Sequence, residues 1–232
     1  MMTSSRYISQ MRLHEIGSEG QIKLNASSVL IVGCGALGSP LAACLAGAGI
    51  GHVAIADFDT VELSNLHRQL FYVEGDAGKK KVEILAKRLR NLNSEIEILS
   101  YDGLVSKRFL ESLDRDFDVL ADCADNPATT YMLQEFCRKN KKPLSTAGVT
   151  GWNAQIFTYI PGSSDYEEIF PKAEGNEGIL PCSLLGIIGP TAQLAASIQA
   201  AEIIKILLNK ENKKSQLITV DLLNSSFMRM EV

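Results

Sequence analysis

The sequence predicts an α/β fold: a doubly wound, mostly parallel sheet with helices on both faces and an antiparallel C-terminal extension. Short strand-like runs recur at 29–32, 52–56, 96–99, 119–122, 143–147 and 155–160. Helical patterns separate most of them, and strand alternating with helix is the mark of a parallel sheet closed by crossovers. The run Val29-Leu30-Ile31-Val32 feeds Gly33-Cys34-Gly35-Ala36-Leu37-Gly38. That is a strand entering a helix through a Gly-x-Gly-x-x-Gly turn, the Rossmann-like arrangement.

In chain order, residues 6–26 read as a helical lead-in interrupted by Gly17 and Gly20. The helix expected at 36–48 carries Ala42, Ala43, Ala46 and Gly47, small side chains that let it lie close against the sheet. The stretch 80–92 places Val82, Leu85, Ala86 and Leu89 on one stripe with basic residues opposite, the pattern of an amphipathic crossover helix. Asn126-Pro127 before 129–140 reads as a cap with proline just inside the helix. The periodic pattern stops over 161–181, a length that in a compact domain marks a functional or disordered loop. A long Ala- and Ile-rich helix is expected at 189–209, and strands at 216–223 and 227–230. The expected organisation is one domain over 1–232. It comprises a lead-in (1–27), a nucleotide-binding core (28–160), a crossover loop (161–185) and a C-terminal helix with strands (186–232).

The chain has 232 residues, 46% of them hydrophobic and 22% charged, enough for a full core. No apolar run approaches the roughly 18 residues of a membrane span, and residues 1–6 lead straight into polar sequence. A cytoplasmic protein with no membrane partner is expected. A net charge of −4 argues against a broad nucleic-acid surface, which is ordinarily basic. The five cysteines, Cys34, Cys44, Cys123, Cys137 and Cys182, form no Cys-x-x-Cys pair, so neither a disulfide framework nor a four-thiolate zinc site is expected. The first four fall inside apolar patterns and are expected in the core.

The glycine turn suits a nucleotide phosphate because it presents bare amides at a helix N-terminus. Asp57 lies 19 positions past Gly38, near the roughly 20-residue spacing of a carboxylate that grips a ribose hydroxyl. The cluster Ser64-Asn65-Leu66-His67-Arg68-Gln69 shifts the class. Hydride transfer needs no such group beside phosphates, whereas chemistry at phosphorus does. Taken singly, Asp57 and Asp125 also read as turn formers, Arg68 as a surface ion pair and Lys81 as a solvated lysine. A common position at the carboxyl edge of one sheet favours a site.

With these residues in hand, the chain resembles the ThiF/MoeB/HesA family, relatives of ubiquitin-activating enzymes, and most nearly its thiamine-pathway ThiF type. The motifs are Gly33 to Gly38, Asp57-Phe58-Asp59, Leu63 to Gln69, Gly78 to Lys81, Asp122 to Asn126, Gly186 to Pro190 and Gln199 to Lys205. The resemblance implies an adenylyltransferase that uses ATP and magnesium on the C-terminal Gly-Gly of a ubiquitin-like sulfur carrier, acting as a homodimer. It implies that Asp57 holds the ribose, Asn65 and Arg68 contact the phosphates, Lys81 neutralises the α-phosphate and Asp125 holds Mg2+. The nucleotide-binding set then includes Gly33, Gly35, Ala36, Gly38, Asp59, Ser64, Gln69 and Asn126 as well. Cys182, four residues before Gly186, stands where thiamine-type members carry a cysteine that bonds the activated carrier; a purely structural thiol is the alternative.

Two departures from the family pattern stand out. Asp165-Tyr166-Glu167-Glu168 occupies the place of a zinc-binding Cys-x-x-Cys pair, so no zinc is expected. Ser9 replaces the arginine that members send into the partner subunit's site, leaving Arg6 or Arg12 as substitutes. The thiamine-thiazole carrier is the first expectation and the molybdopterin-synthase carrier the alternative. A tRNA threonylcarbamoyladenosine dehydratase and a non-catalytic nucleotide-binding scaffold follow. A nicotinamide dehydrogenase would leave Asn65, Arg68, Lys81 and Asp125 unexplained.

Overall fold

The computed structural model describes residues 5–172, 186–210 and 214–232. Its strands are β1 (Ser28–Val32), β2 (His52–Asp57), β3 (Glu97–Asp102), β4 (Val119–Asp122), β5 (Leu144–Thr150), β6 (Asn153–Tyr159), β7 (Gln216–Asp221) and β8 (Ser226–Glu231). They form a sheet in the order β3-β2-β1-β4-β5-β6-β7-β8. The first five are parallel and the last three antiparallel. The chain moves outward from β1 to β3 and then returns to β4 on the other side of β1. The strand order reverses between β1 and β4, and sheets of this kind take ligands outside the carboxyl ends of their strands at such a switch point.

The helices are α1 (Ile8–Met11), α2 (Gly17–Ala26), α3 (Gly38–Ala48), α4 (Lys81–Leu92), α5 (Lys107–Glu111), α6 (Pro127–Asn140), α7 (Tyr166–Ile169) and α8 (Gly189–Leu207). Because successive strand residues face opposite sides, Val29 and Ile31 join one cluster with Leu41 and Leu45 of α3, Leu85 of α4 and Ile203 of α8. Leu30 and Val32 join the other, with Leu110 of α5 and Leu133 of α6. Each fully buried side chain of this size contributes about 1.5–3 kcal/mol, and a strand covered on both faces has no polar alternation to show. The doubly wound expectation is borne out, including its antiparallel end.

The differences are local. The antiparallel part begins at β6, inside the stretch expected to be the nucleotide-binding core. The two residues Gly151 and Trp152 turn β5 back on itself, with Gly151 at φ 57. Helix α3 starts at Gly38, two residues later than expected, and the freed residues widen the glycine turn. Helix α5 spans only five residues, too few to display a period. The expected loop at 161–181 is ordered through its described part. Asp165 caps α7 by accepting from the Glu167 and Glu168 amides at 3.0 and 3.1 Å, and Tyr166 packs edge-on against Tyr131 and Phe157. Cys34, Cys123 and Cys137 are buried, but Cys44 is exposed. It sits on the outward side of α3, where the small residues that pack close to the sheet give way to solvent.

Candidate active site

The turn after β1 is held open by its own contacts. Gly33 has φ +96, and a Cβ there would lie 2.6 Å from the Cys123 carbonyl oxygen; one on Gly38 would lie 1.8 Å from the Gly33 oxygen. No side chain fits either place, so β1, β4 and the start of α3 meet only through glycine. The Ser39 amide and hydroxyl both donate to the Gly35 carbonyl, at 3.1 and 2.7 Å. Among the described residues, the N–H groups of Gly35, Ala36, Leu37 and Gly38 donate to no protein acceptor. Four unpartnered amides at a helix N-terminus form a cradle for an anion.

Asp57, at the end of β2, is buried and uses both carboxylate oxygens on backbone. It accepts from the Cys34 amide at 2.6 Å and the Asp59 amide at 2.8 Å. It therefore ties the glycine turn to the next loop, and each oxygen keeps a lone pair for a further donor. Asp59 pairs through Oδ2 with Lys81 Nζ at 2.8 Å. Lys81 opens α4, is 4% exposed, and donates its amide to the Asp59 carbonyl at 3.1 Å. A buried ammonium with one carboxylate partner retains two donors for an anion.

The segment between β2 and α4 brings the remaining groups in. Arg68 is held by the Asn65 side-chain oxygen at 2.9 Å, the Ser64 carbonyl at 3.3 Å and His67 Nε2 at 2.8 Å. Ser64 itself donates to Glu62 at 3.2 Å. A Cβ on Gly189, at the start of α8, would lie 2.9 Å from the His67 carbonyl oxygen and 3.6 Å from the Arg68 Cα, so α8 backs this segment. Gln69 is 5% exposed, its Oε1 has no hydrogen-bond partner among the described residues, and its Nε2 lies over Gly35. An orphaned buried amide beside a cradle of free amides fits a polar ligand bound there.

Across the switch point, Asp125 follows β4, exposed and without a protein hydrogen bond among the described residues. Asn126 caps α6, its side-chain oxygen accepting from the Thr129 amide and hydroxyl at 2.9 Å each. Sequence reasoning passed over the group that fixes this loop. Asp122 is 1% exposed and accepts from the Thr130 hydroxyl at 2.6 Å, the Thr146 hydroxyl at 2.9 Å and the Ala124 amide at 3.0 Å. Burial raises its pKa against the lowering pull of those three bonds. Gln199 of α8 donates to the Asp122 and Ser145 carbonyls at 3.2 and 2.9 Å. Both residues lay inside quoted motifs, but a buried polar side chain in a strand or helix has no sequence signature of its own.

Two expectations fall elsewhere. Cys182 lies outside the described residues. The lead-in sits at the opposite edge of the sheet: Gln10 donates to the Ala48 carbonyl at 2.8 Å, Tyr7 accepts from Asn93 at 2.8 Å, and Arg6 donates to the Leu92 carbonyl at 2.9 Å. The 11 residues of α3, roughly 16 Å at 1.5 Å per residue, separate Arg6 and the exposed Arg12 from the glycine turn of their own chain. Burial, with Asp57 and Cys123 adjoining, pushes the Cys34 thiol well above the usual range, which removes it as a nucleophile at the turn.

The sequence model described as ThiF family matches residues 7–232. The Aedes aegypti protein "Adenylyltransferase and sulfurtransferase MOCS3" is 40% identical over 231 residues, 98% of this chain and 53% of that protein. The Sus scrofa protein of the same name is 38% identical over 229 residues, 98% of this chain and 50% of its own. The chain thus spans about half the length of the curated relatives it matches. Among solved structures, E. coli MccB with ATP superposes with a TM-score of 0.83 at 26% identity, covering 99% of this chain and 71% of that one. The Microcin C7 biosynthetic enzyme MccB in complex with N-formylated MccA gives 0.84 at 26%, covering 98% and 72%. The family match over nearly every residue, together with relatives about 40% identical along almost the whole chain, makes this chain a member of the ThiF family.

Proposed function

We propose that the chain transfers AMP from ATP to the C-terminal carboxylate of a small ubiquitin-like sulfur carrier ending in Gly-Gly, with release of pyrophosphate. The observation that carries this reading is the row of four amides at Gly35–Gly38 without acceptors among the described residues, beside Lys81, Arg68 and Asp125. Attack of a carboxylate oxygen on the α-phosphorus forms one P–O bond and breaks another to pyrophosphate, and negative charge gathers on the oxygens between. Fixed donors aimed there stabilise that charge without reorganising. Lys81, already desolvated, is suited to the α-phosphate, and Arg68, braced by Asn65 and His67, to the leaving group. Asp57 is suited to the ribose through the lone pairs that its backbone bonds leave free.

Asp125 fits a magnesium ion, which is commonly held by one or two carboxylates together with substrate phosphates. Bound there, the ion would supply further neutralisation of phosphate charge. The relatives' names join adenylyl transfer to sulfur transfer, which supports a sulfur carrier as acceptor. The molybdopterin-type carrier fits those relatives at least as well as the thiamine-type carrier.

The test is ATP–pyrophosphate exchange with Mg2+ in the presence of each purified carrier, with carrier-AMP read by intact mass. Carrier-dependent exchange and a carrier heavier by one adenylyl group are expected. Tight ATP binding with no exchange on either carrier would overturn the reading in favour of a nucleotide-binding scaffold.

A further inference from the structure

A polar network outside the residues assigned above reaches the glycine turn from behind. Tyr72 is 4% exposed, and its hydroxyl donates to the Cys34 carbonyl at 2.7 Å. The Arg88 guanidinium of α4 lies 5.9 Å from the centre of the Tyr72 ring. Arg88 donates to Asp76, which also accepts from the Val73 amide at 3.0 Å. Tyr72 is therefore fixed at both ends, its ring by a cation held on α4 and its hydroxyl by the turn.

The Cys34 carbonyl, three residues before the Leu37 cap of α3, is the group that would capture the Gly38 amide if the helix extended backward. In an α-helix the carbonyl of residue i accepts from the amide of i+4, here Gly38. That bond is not made, and the carbonyl accepts from Tyr72 instead. The other side of the same residue is also committed, because the Cys34 amide donates to Asp57. With both its polar groups taken from outside the helix, Cys34 is held out of helical register, and the Gly38 amide has no acceptor among the described residues. Burial, with Cys34 and Asp57 adjacent, pushes the Tyr72 hydroxyl upward in pKa, so it stays a donor across the working pH range.

We infer that Tyr72 is a positioning residue that holds the Cys34 carbonyl turned away from Gly38 and so keeps that amide of the cradle open for the nucleotide phosphates, with Arg88 and Asp76 holding Tyr72 in place. The inference rests on the ATP reading of the site, and names a determinant of ATP affinity that touches no substrate atom. Removing the hydroxyl releases the carbonyl, which Gly38 then satisfies. The cradle loses a donor, and binding weakens more than turnover.

Tyr72→Phe keeps the ring and deletes only the donor. ATP binding by the carrier-free protein is expected to weaken about tenfold, with KM for ATP rising by the same factor. At saturating ATP, kcat and the KM for the carrier should stay within about threefold. Amide hydrogen exchange at Gly38 in the nucleotide-free protein gives a second readout, and slower exchange in Tyr72→Phe than in the unmodified chain is expected. If Tyr72→Phe is too unstable to assay, Arg88→Lys, which keeps the charge but loses the fork to Asp76, should show the same split with a smaller factor. Unchanged ATP affinity and unchanged Gly38 exchange would overturn the inference, as would a loss in kcat and carrier KM as large as the loss in ATP affinity. Failure of the unmodified chain to bind ATP would instead overturn the reading on which it rests.

Discussion

The two edges of the parallel sheet are built from the same strands and differ in how they treat polar groups. At the amino edge lies a cavity of about 280 Å3 lined by Tyr7, Asn25, Gly51, His52, Glu95, Ile96 and Glu97. Its neighbours are paired: His52 with Glu97 at 2.8 Å, Arg115 with the same carboxylate at 2.9 Å, and Asn93 with Tyr7 and the Ala46 carbonyl at 2.8 and 2.7 Å. At the carboxyl edge, among the described residues, four amides, the Gln69 oxygen and the Asp125 carboxylate have no protein partner. The cavity and the unpartnered groups thus lie at opposite ends of the sheet. The chemistry decides, because a buried or helix-terminal polar group without a partner has a free-energy cost that a ligand can remove.

The largest expected effect tests the carboxyl edge directly. Lys81→Ala deletes a buried cation at the anion cradle, and a fall of about 10²–10³-fold in kcat/KM for ATP–pyrophosphate exchange is expected. A loss smaller than tenfold would remove Lys81 from the chemistry and leave it as the structural partner of Asp59.

A sharper comparison uses two glycines with equal crowding. A Cβ on Gly38 would lie 1.8 Å from the Gly33 oxygen, and one on Gly51, at the amino edge, 1.8 Å from the Asn25 oxygen. Both alanine variants must displace backbone, so each should lose several kcal/mol of stability, read by denaturant unfolding. Only Gly38→Ala should also lose ATP affinity in the fraction that stays folded. Equal loss of affinity in Gly51→Ala would show that the two edges are not separable.

The smallest effect belongs to the amino-edge ion pairs. Glu97 is about half exposed, and solvent screens its contacts with His52 and Arg115. Glu97→Ala should therefore change stability by no more than about 1 kcal/mol and leave exchange within twofold. A tenfold loss of exchange would mean that the cavity beside it takes part in function.

Much of this was legible before any coordinates. The glycine turn, Asp57, the Asn65–Gln69 segment, Lys81 and Asp125 each stood out because residue type and spacing carry the requirement: bare amides, a strand-end carboxylate, paired cations. Tyr72, Asp76, Arg88, Asp122 and Gln199 did not. Their contacts run to residues of other elements, as that of Tyr72 does to Cys34, and spacing holds no record of such pairings. The short helices α5 and α7 were missed because a single turn shows no period, and the outward face of Cys44 because small residues line both sides of α3.

The order of strands and helices, the class of sheet and the residue types suited to a nucleotide follow from the sequence alone, since hydrophobic period and glycine chemistry are local properties. What tertiary structure decided is which polar groups remain free. Among the described residues the amides of Gly35–Gly38 lack acceptors at a helix start, and the turn that presents them is fixed by Tyr72 and Asp57, 38 and 23 residues further along, which bond both polar groups of Cys34. Only the folded chain brings those side chains to the turn.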